Sequence, residues 1–447
     1  MRHLWKSGSA QYQEYVSIFN STAEEENDKT DDRIIYIKDL EKRKEIYGIC
    51  CECNEPGTGE WWCQPCNARR FKENFKNWTS GSKDIDELIQ YSQLNAVSNK
   101  KCLEWIPFEN FQDVTYITKG GFGKIYSAIY YNGFIHHWDI KNQEWSRIIS
   151  HKVALKSFYD SLDMNTDLLN EIKSYLHMYT WDIVQYYGLT QNPNTKEYMM
   201  ILKYCEDGNL RNHLNKPGNY INRKSKINYL FQIARGLQNI HDSKKIHGDL
   251  HIGNILLETN IDHAFISDLG TCRPANNNEV KKVYGVLPYM APEILRGHQY
   301  TKEADIYSFG IVMNELMSEE TPYINVPHDH MLAIDICKGL RPKISDDIPK
   351  PLADLIVKCW DVEVENRPTA KELSQVLRKW RSEIRNMSGN FYSQIKEYDE
   401  IEEYKDRVKN KEIHPQAIYT SRLLNFENLP ETVNSTVLVS DCLDCSI

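Results

Sequence analysis

The run Ile246-His247-Gly248-Asp249-Leu250-His251-Ile252-Gly253-Asn254 sets an aspartate and an asparagine five positions apart, directly ahead of the apolar Ile255-Leu256-Leu257. An aspartate on a fixed loop can accept a hydroxyl proton while orienting that oxygen. An asparagine close behind it supplies a hard oxygen for Mg²⁺. Such a loop needs a rigid frame, and the surrounding sequence predicts one. Downstream of Ser225, Ile227, Leu230, Phe231, Ala234 and Leu237 recur three and four apart, a helical period. Upstream, residues 124–129 and 152–156 read as strands. A β-rich front and a helical back give an α+β chain of two lobes.

Three further motifs occur in order around this loop, and each suits a part of phosphoryl transfer. In Thr118-Lys119-Gly120-Gly121-Phe122-Gly123-Lys124-Ile125 the glycines let backbone N–H groups approach phosphate oxygens. The cluster passes into a strand rather than a helix, which favours a flap over a dinucleotide-binding turn, though a plain hairpin has the same composition. Val153-Ala154-Leu155-Lys156 ends a strand on a lysine, and Glu171 in the helical run 167–178 can hold that ammonium towards α- and β-phosphates. A surface lysine at a strand end is the alternative. Ile266-Ser267-Asp268-Leu269-Gly270 follows Asn254 by fourteen positions, and Asp268 can bridge a metal to phosphates.

With these residues, and with Ala291-Pro292-Glu293 closing the segment, the chain resembles the eukaryotic protein kinases, and within them the tyrosine-kinase-like group, from Phe111 to Arg381. The resemblance implies a bilobal kinase fold with a β-rich N-lobe and a helical C-lobe. It implies ATP and Mg²⁺ as cofactors, a protein substrate, and transfer of the γ-phosphate to a hydroxyl, tilted towards Ser/Thr. Asp249, Lys156, Glu171, Asn254 and Asp268 would be the catalytic set, with Asn254 and Asp268 holding Mg²⁺. The flap Gly120, Gly121, Phe122 and Gly123 would cover the phosphates. Leu202 would be the gatekeeper, Lys203-Tyr204-Cys205 the hinge, and Ile117, Ile125, Ala154 and Leu256 would sandwich the adenine. Asp305 would brace the catalytic loop and Arg367 would pair with Glu293. The Cys-rich front and the tail run 414–424 together look like a kinase family expanded in arbuscular mycorrhizal fungi.

The departures are informative. Thr118 replaces the first flap glycine and Leu269 the usual Phe, and neither is disabling. Gly248 stands where many kinases have arginine, so a phosphorylated activation loop loses its bidentate partner. Activity is therefore expected not to depend strongly on such phosphorylation. His251 and Val286 stand where Ser/Thr kinases carry lysine and threonine, which keeps open a pseudokinase scaffold as the other reading. His251 is expected to position Asp249 or the γ-phosphate.

Ahead of the large domain, Cys50-Cys51-Glu52-Cys53 and Cys63-Gln64-Pro65-Cys66 can close a tetrahedral Zn²⁺ site through Cys50, Cys53, Cys63 and Cys66, with Cys51 competing for Cys50's place. Asn67 is expected to cap a helix with Phe71, Phe75 and Trp78 on one face. Arg43, Arg70 and their basic neighbours read as a solvated face. Residues 132–150, with Trp138 and Trp145, lengthen a strand connection into a hairpin, read as solvated rather than as a docking surface. Cys442 and Cys445 lack a matching pair.

The expected organisation is a polar arm over 1–32, a Cys-rich zinc unit over 33–80, a linker with a short helix over 81–107, the kinase domain over 108–383 and a tail over 384–447. The tail is read as a charged helical stretch over 397–411 that turns irregular. A formal charge of −9 argues against general nucleic-acid binding. No window reaches the roughly 18 apolar residues of a membrane span. Twelve cysteines without a leader-like start read as reduced thiols or metal ligands in the cell interior, most simply the cytoplasm. Oligomeric state is not encoded in any visible pattern.

Overall fold

The computed structural model describes residues 35–119, 123–149, 151–158, 164–178, 182–275, 283–402 and 413–434, with the short strands Trp5–Lys6 and Val16–Ser17 ahead of them. Apart from those two strands, the arm expected over 1–32 lies outside the described residues, as do the flap residues Gly120, Gly121 and Phe122, residues 403–411 of the helical stretch expected over 397–411, and Cys442 and Cys445. The chain divides into two compact units, Met1–Tyr179 with Gln185–Tyr204, and Thr180–Val184 with Cys205–Ile447.

The first unit is built on a six-stranded sheet in the order Glu104–Trp105, Tyr186–Gln191, Tyr198–Lys203, His151–Phe158, Gly123–Tyr130, Phe111–Lys119. Strand alternation sends Val153 and Leu155 to one face, where they are fully buried with Ala128, Tyr130, Met199 and Ile201. Burying each large apolar side chain contributes about 1.5–3 kcal/mol. The edge strand Glu104–Trp105 pairs in parallel with Gly188-Leu189. That approach needs a glycine: a Cβ on Gly188 would stand 1.9 Å from the Glu104 carbonyl oxygen. The same unit holds helix Met164–Leu176.

The Cys-rich segment contributes helices Leu40–Tyr47 and Gln64–Asn74 and is followed by helix Lys83–Asn95. Three expectations are corrected here. Helix Gln64–Asn74 starts from Cys63 with Pro65 in its first turn, so Asn67 lies inside the helix, buried, rather than capping it. Arg43 is buried too, its guanidinium donating to the carbonyls of Ile37, Pro56 and Gly57, so it ties a turn instead of facing solvent. The hairpin Phe134–Asp139/Glu144–Ile148 is not simply solvated. Trp145 stacks on Phe71 at 4.7 Å and on Trp62 at 5.9 Å, and the Arg70 guanidinium lies over Trp138 at 4.3 Å while also pairing with Glu52. Large aromatic faces are removed from water more effectively by stacking on one another than by standing in solvent.

The second unit is helical. Arg223–Asp242 and Lys302–Ser318 are buried on nearly every side, the first with polar side chains such as Asn228, Gln232 and Asn239 among its buried residues. Lys226, buried on the first, is neutralised by Glu319 at 3.0 Å. Helix Ala370–Arg385 opens with a capping box, Thr369 against Glu372, and buries Leu373, Leu377 and Trp380. Helix Asn390–Glu402 begins seven residues ahead of the charged stretch expected at 397. Within the otherwise irregular residues 413–434, strand Arg422–Leu424 pairs antiparallel with Val283–Gly285.

Candidate active site

In the first unit the register decides which side chains share a face. Lys156 is opposite Ile125, Ala154 is opposite Leu202, and Ala154 and Lys156 are two apart on one strand. Directly opposed residues, and residues two apart, point the same way, so Ile125, Ala154, Lys156 and Leu202 line one face of the sheet. Ile117 is exposed on the neighbouring strand, and Lys152 lies over the Tyr204 ring at 4.1 Å. Gly123 opens its strand.

Lys156 Nζ donates to both oxygens of Glu171, at 3.1 and 3.0 Å, and both residues are buried. Tyr186 donates to Glu171 Oε1 at 2.5 Å. The far end of the helix that carries Glu171 is held by Lys101, whose ammonium donates to the carbonyls of Tyr175, Leu176 and Met178. A cation at these unsatisfied carbonyls is well placed against the helix dipole. Tyr186 and Lys101 carry no motif, and the sequence reading missed both.

In the second unit the loop Ile246–Asn254 is fastened at several points. Asp305, in the first turn of its helix, accepts from the backbone N–H of His247 at 2.7 Å and of Gly248 at 2.9 Å, and from His241 Nε2 at 2.9 Å. Burial alone would push the Asp305 carboxyl up, but these donors and the charge of His241 hold it below its ordinary range. The His247 ring accepts from the Asp249 N–H and donates to the Ser267 carbonyl, so one side chain ties Asp249's backbone to the segment of Asp268. Gly248 sits at φ 76°, a left-handed conformation that is strained for arginine or any other side chain.

Asp249 is buried, as are His251 and Asn254. Asn254 Nδ2 donates to the Asp249 carbonyl at 2.9 Å, which fixes the orientation of its amide, so the oxygen and not the nitrogen is the atom suited to a cation. Asp268 stands at φ 60°, accepting from the Gly270 N–H at 3.4 Å, with Leu269 buried beside it. An amide oxygen and a carboxylate are hard donors that fit Mg²⁺. Burial pushes the Asp249 carboxyl up to about 7, opposed by a hydrogen bond from Ser421 and reinforced by the charge of Asp268. Ser421 Oγ donates to Asp249 Oδ2 at 2.5 Å.

His251 Nδ1 accepts from the Gly253 N–H at 3.0 Å. In the neutral ring the proton is then on Nε2, which faces Ser421 Oγ at 3.4 Å and Asp249 Oδ2 at 3.8 Å. Burial first, then the nearby Arg211 cation, drives the His251 imidazolium down to about 3. Val286 is buried and offers no hydroxyl. Glu293 and Arg367 form a bidentate pair at 2.7 and 2.9 Å. Cys205 is buried, and Leu256 lies half-buried on the strand after the loop.

The four sulfurs of Cys50, Cys53, Cys63 and Cys66 lie within 4.8 Å of one another, whereas Cys51 is exposed and outside the cluster. The ambiguity between Cys50 and Cys51 thus falls to Cys50. The hydrogen bond with Cys63 pulls the Cys50 thiol down to about 5, while burial pushes Cys66 up to about 12. Four converging thiols fit a thiophilic cation that takes all four as thiolates.

Residues 111–377 match the family of protein tyrosine and serine/threonine kinases. The chain belongs to that family. Its kinase domain has a β-sheet N-lobe and a helical C-lobe. Among similar proteins, a probable serine/threonine-protein kinase of Dictyostelium discoideum is 30% identical over 204 residues, covering 44% of this chain and 15% of that protein. Serine/threonine-protein kinase VIK of Arabidopsis thaliana is 30% identical over 294 residues, 63% of either chain. Serine/threonine/tyrosine-protein kinase HT1, also of Arabidopsis thaliana, is 28% identical over 329 residues, 71% of this chain and 81% of that protein. The chain therefore spans less than two thirds of the first two of these relatives. No helix among the described residues is long and apolar enough to cross a membrane.

Proposed function

We propose that the chain is an active protein kinase that transfers the γ-phosphate of ATP to serine or threonine hydroxyls of proteins in intracellular signalling. The observation that carries this reading is the seating of Asp249: its loop is braced by Asp305, its backbone is tied to Asn254, and its Oδ2 accepts a hydroxyl hydrogen bond. Lys156, held by Glu171 and Tyr186, would bind the α- and β-phosphates, with Gly120, Gly121, Phe122 and Gly123 over them. Ile117, Ile125, Ala154, Leu202, Lys203, Tyr204, Cys205 and Leu256 would hold the adenine. Asn254 and Asp268 would hold Mg²⁺, which neutralises phosphate charge when bound. Asp249 orients the acceptor and takes its proton, and the rate rests on positioning and charge.

The Ser/Thr preference is supported by the short side chain that reaches Asp249 here, since a tyrosine ring would carry its hydroxyl past that point. The names of the relatives agree, HT1 adding tyrosine. Kinship with the tyrosine-kinase-like group is supported by the kinase motifs and the plant relatives VIK and HT1, and kinship with the expanded fungal family by the Cys-rich front and the tail run 414–424. The Cys50, Cys53, Cys63 and Cys66 cluster would hold a structural Zn²⁺, and the reduced cysteines among the described residues suit the reducing cytoplasm. The domain layout we propose keeps the kinase domain at 108–383, between the Cys-rich front and the tail.

The test is Mg·ATP phosphotransfer to a generic protein substrate by the wild type and by Asp249→Asn. Transfer by the first and its loss in the second is the expected result. Nucleotide binding without transfer by either would make the chain a pseudokinase scaffold.

A further inference from the structure

The tail brings Ser421 to Asp249 by a long series of backbone contacts. The His414 N–H donates to the Ile324 carbonyl at 2.9 Å, and the His328 N–H donates to the Gln416 carbonyl at 3.0 Å. The His328 ring donates from Nε2 to the Tyr323 carbonyl and accepts at Nδ1 from the Ile418 N–H. Tyr419 donates to the Pro322 carbonyl at 2.7 Å, with the Arg211 guanidinium over its ring at 4.4 Å. Beyond Ser421 the chain becomes a strand: Arg422, Leu423 and Leu424 pair with Gly285, Tyr284 and Val283, and Leu424 is buried. Tyr284 Oη donates to the Ser421 carbonyl at 3.0 Å, so the serine is gripped on both sides.

Strand addition to an exposed backbone edge is a general way to present a peptide, with main-chain bonds giving affinity and side chains giving selectivity. Here the added strand belongs to the same chain and delivers a hydroxyl, not a blocking alanine or an acid, to the carboxylate. We infer that Ser421 is a phosphoacceptor of this chain itself, modified in cis while the 413–424 segment is docked. The inference rests on the kinase reading above.

The step balances simply. Ser421 Oγ forms a bond to the γ-phosphorus of a bound nucleoside triphosphate, the bond from that phosphorus to the bridging oxygen breaks, and the nucleoside diphosphate leaves with the electron pair. The hydroxyl proton passes to Asp249 Oδ2, the atom it already faces. The new phosphate carries roughly −1.5 to −2 charge and lands beside Asp249 and near Asp268. Like charges in a buried site repel, so the modified tail leaves the groove and opens it to other acceptors.

The experiment uses the full chain with Mg·ATP, site mapping by mass spectrometry across a dilution series, and hydrogen exchange of Arg422–Leu424 before and after reaction. The expected result is a phosphoryl group on Ser421, formed at a rate independent of protein concentration, with exchange slow before modification and fast after it. Ser421→Thr should retain modification at this position, and Ser421→Ala should lose it and slow transfer to an added substrate. Leu424→Asp, which undocks the strand without touching the hydroxyl, should speed exchange in the nucleotide-free protein and slow modification of Ser421. An added substrate phosphorylated while Ser421 stays bare, or modification that scales with protein concentration, would overturn the inference and leave the kinase reading standing. No transfer to any acceptor, in wild type and Leu424→Asp alike, would overturn both.

Discussion

Tyr186 and Lys156 share one oxygen of Glu171, Oε1, at 2.5 and 3.1 Å. All three residues are buried, and Tyr186 is stacked on Tyr175 at 4.3 Å with the two rings nearly parallel. The ion pair is therefore oriented from a second direction by a phenol that cannot rotate away.

Tyr186→Phe removes one hydrogen bond to a buried carboxylate and should destabilise the first unit by about 1.5–3 kcal/mol. Phosphotransfer should weaken chiefly through a raised KM for ATP, because Glu171 loses its fixed orientation while Lys156 keeps its charge. Thermal denaturation and steady-state kinetics against Lys156→Met check this. The latter should lose roughly 100-fold or more in kcat through the missing charge on the phosphates. An unchanged KM for ATP in Tyr186→Phe would remove Tyr186 from the positioning set.

The thiol cluster predicts one tightly held zinc per chain. Elemental analysis of purified protein should find it, and Cys63→Ser or a strong chelator should remove it. Ligation at a structural site is worth on the order of 10 kcal/mol, so the metal-free protein should melt well below the loaded one. Equal melting temperatures with and without metal would show that the four cysteines pack as plain apolar groups.

Trp145 joins the hairpin to the Cys-rich segment through Phe71 and Trp62. Trp145→Ala should destabilise the first unit by roughly 2–3 kcal/mol, less than a fully buried tryptophan because the ring is partly exposed. Limited proteolysis should cut first within residues 139–144. Unaltered stability and protease resistance would mean that the stack only covers surface.

His251 stays uncharged because burial and Arg211 hold its imidazolium down at about 3. Its folded value is depressed, so no histidine step from this residue should enter the rate between about pH 6 and 8, where a free imidazole titrates. His251→Ala should lower kcat by roughly tenfold through the lost Nε2 donor and leave the shape of the pH–rate profile unchanged. A turnover equal to the wild type would refute a positioning role.

Gly248 offers no guanidinium to a phosphorylated loop. Between Asp268 and Glu293 there is no serine, and the one threonine, Thr271, donates its hydroxyl to the His247 carbonyl at 2.7 Å. Phosphosite mapping of active protein should find residues 269–292 unmodified. An activity that requires phosphate on Thr271 or Tyr284 would contradict this.

The loop Ile246–Asn254 stood out in the sequence as a candidate site because its pattern is local: Asp249 and Asn254 are five apart, and the backbone between them sets their relation. Asp305 and Arg367 were recognisable through the resemblance, and their contacts with the Gly248 N–H and Glu293 follow from it. What escaped the sequence depends on pairings between distant segments with no period of their own. Ser421 lies 172 positions from Asp249, and nothing in its neighbourhood distinguishes a docking strand from an irregular tail. Lys101 looks like any surface lysine until the carbonyl ends of a helix 74 to 77 residues away converge on it. Trp138 and Trp145 were visible as unusual hairpin residues, but only their partners show which way they face.

The pairing of Arg422–Leu424 with Val283–Gly285 also has a consequence for shortened forms of the protein. A chain cut before residue 413 would leave Val283–Gly285 without its strand partner, and exposed unpaired strand backbone recruits strands from other molecules. Such a fragment should self-associate more readily than the whole chain, which would give the tail a second use as a guard against unwanted cross-pairing between copies.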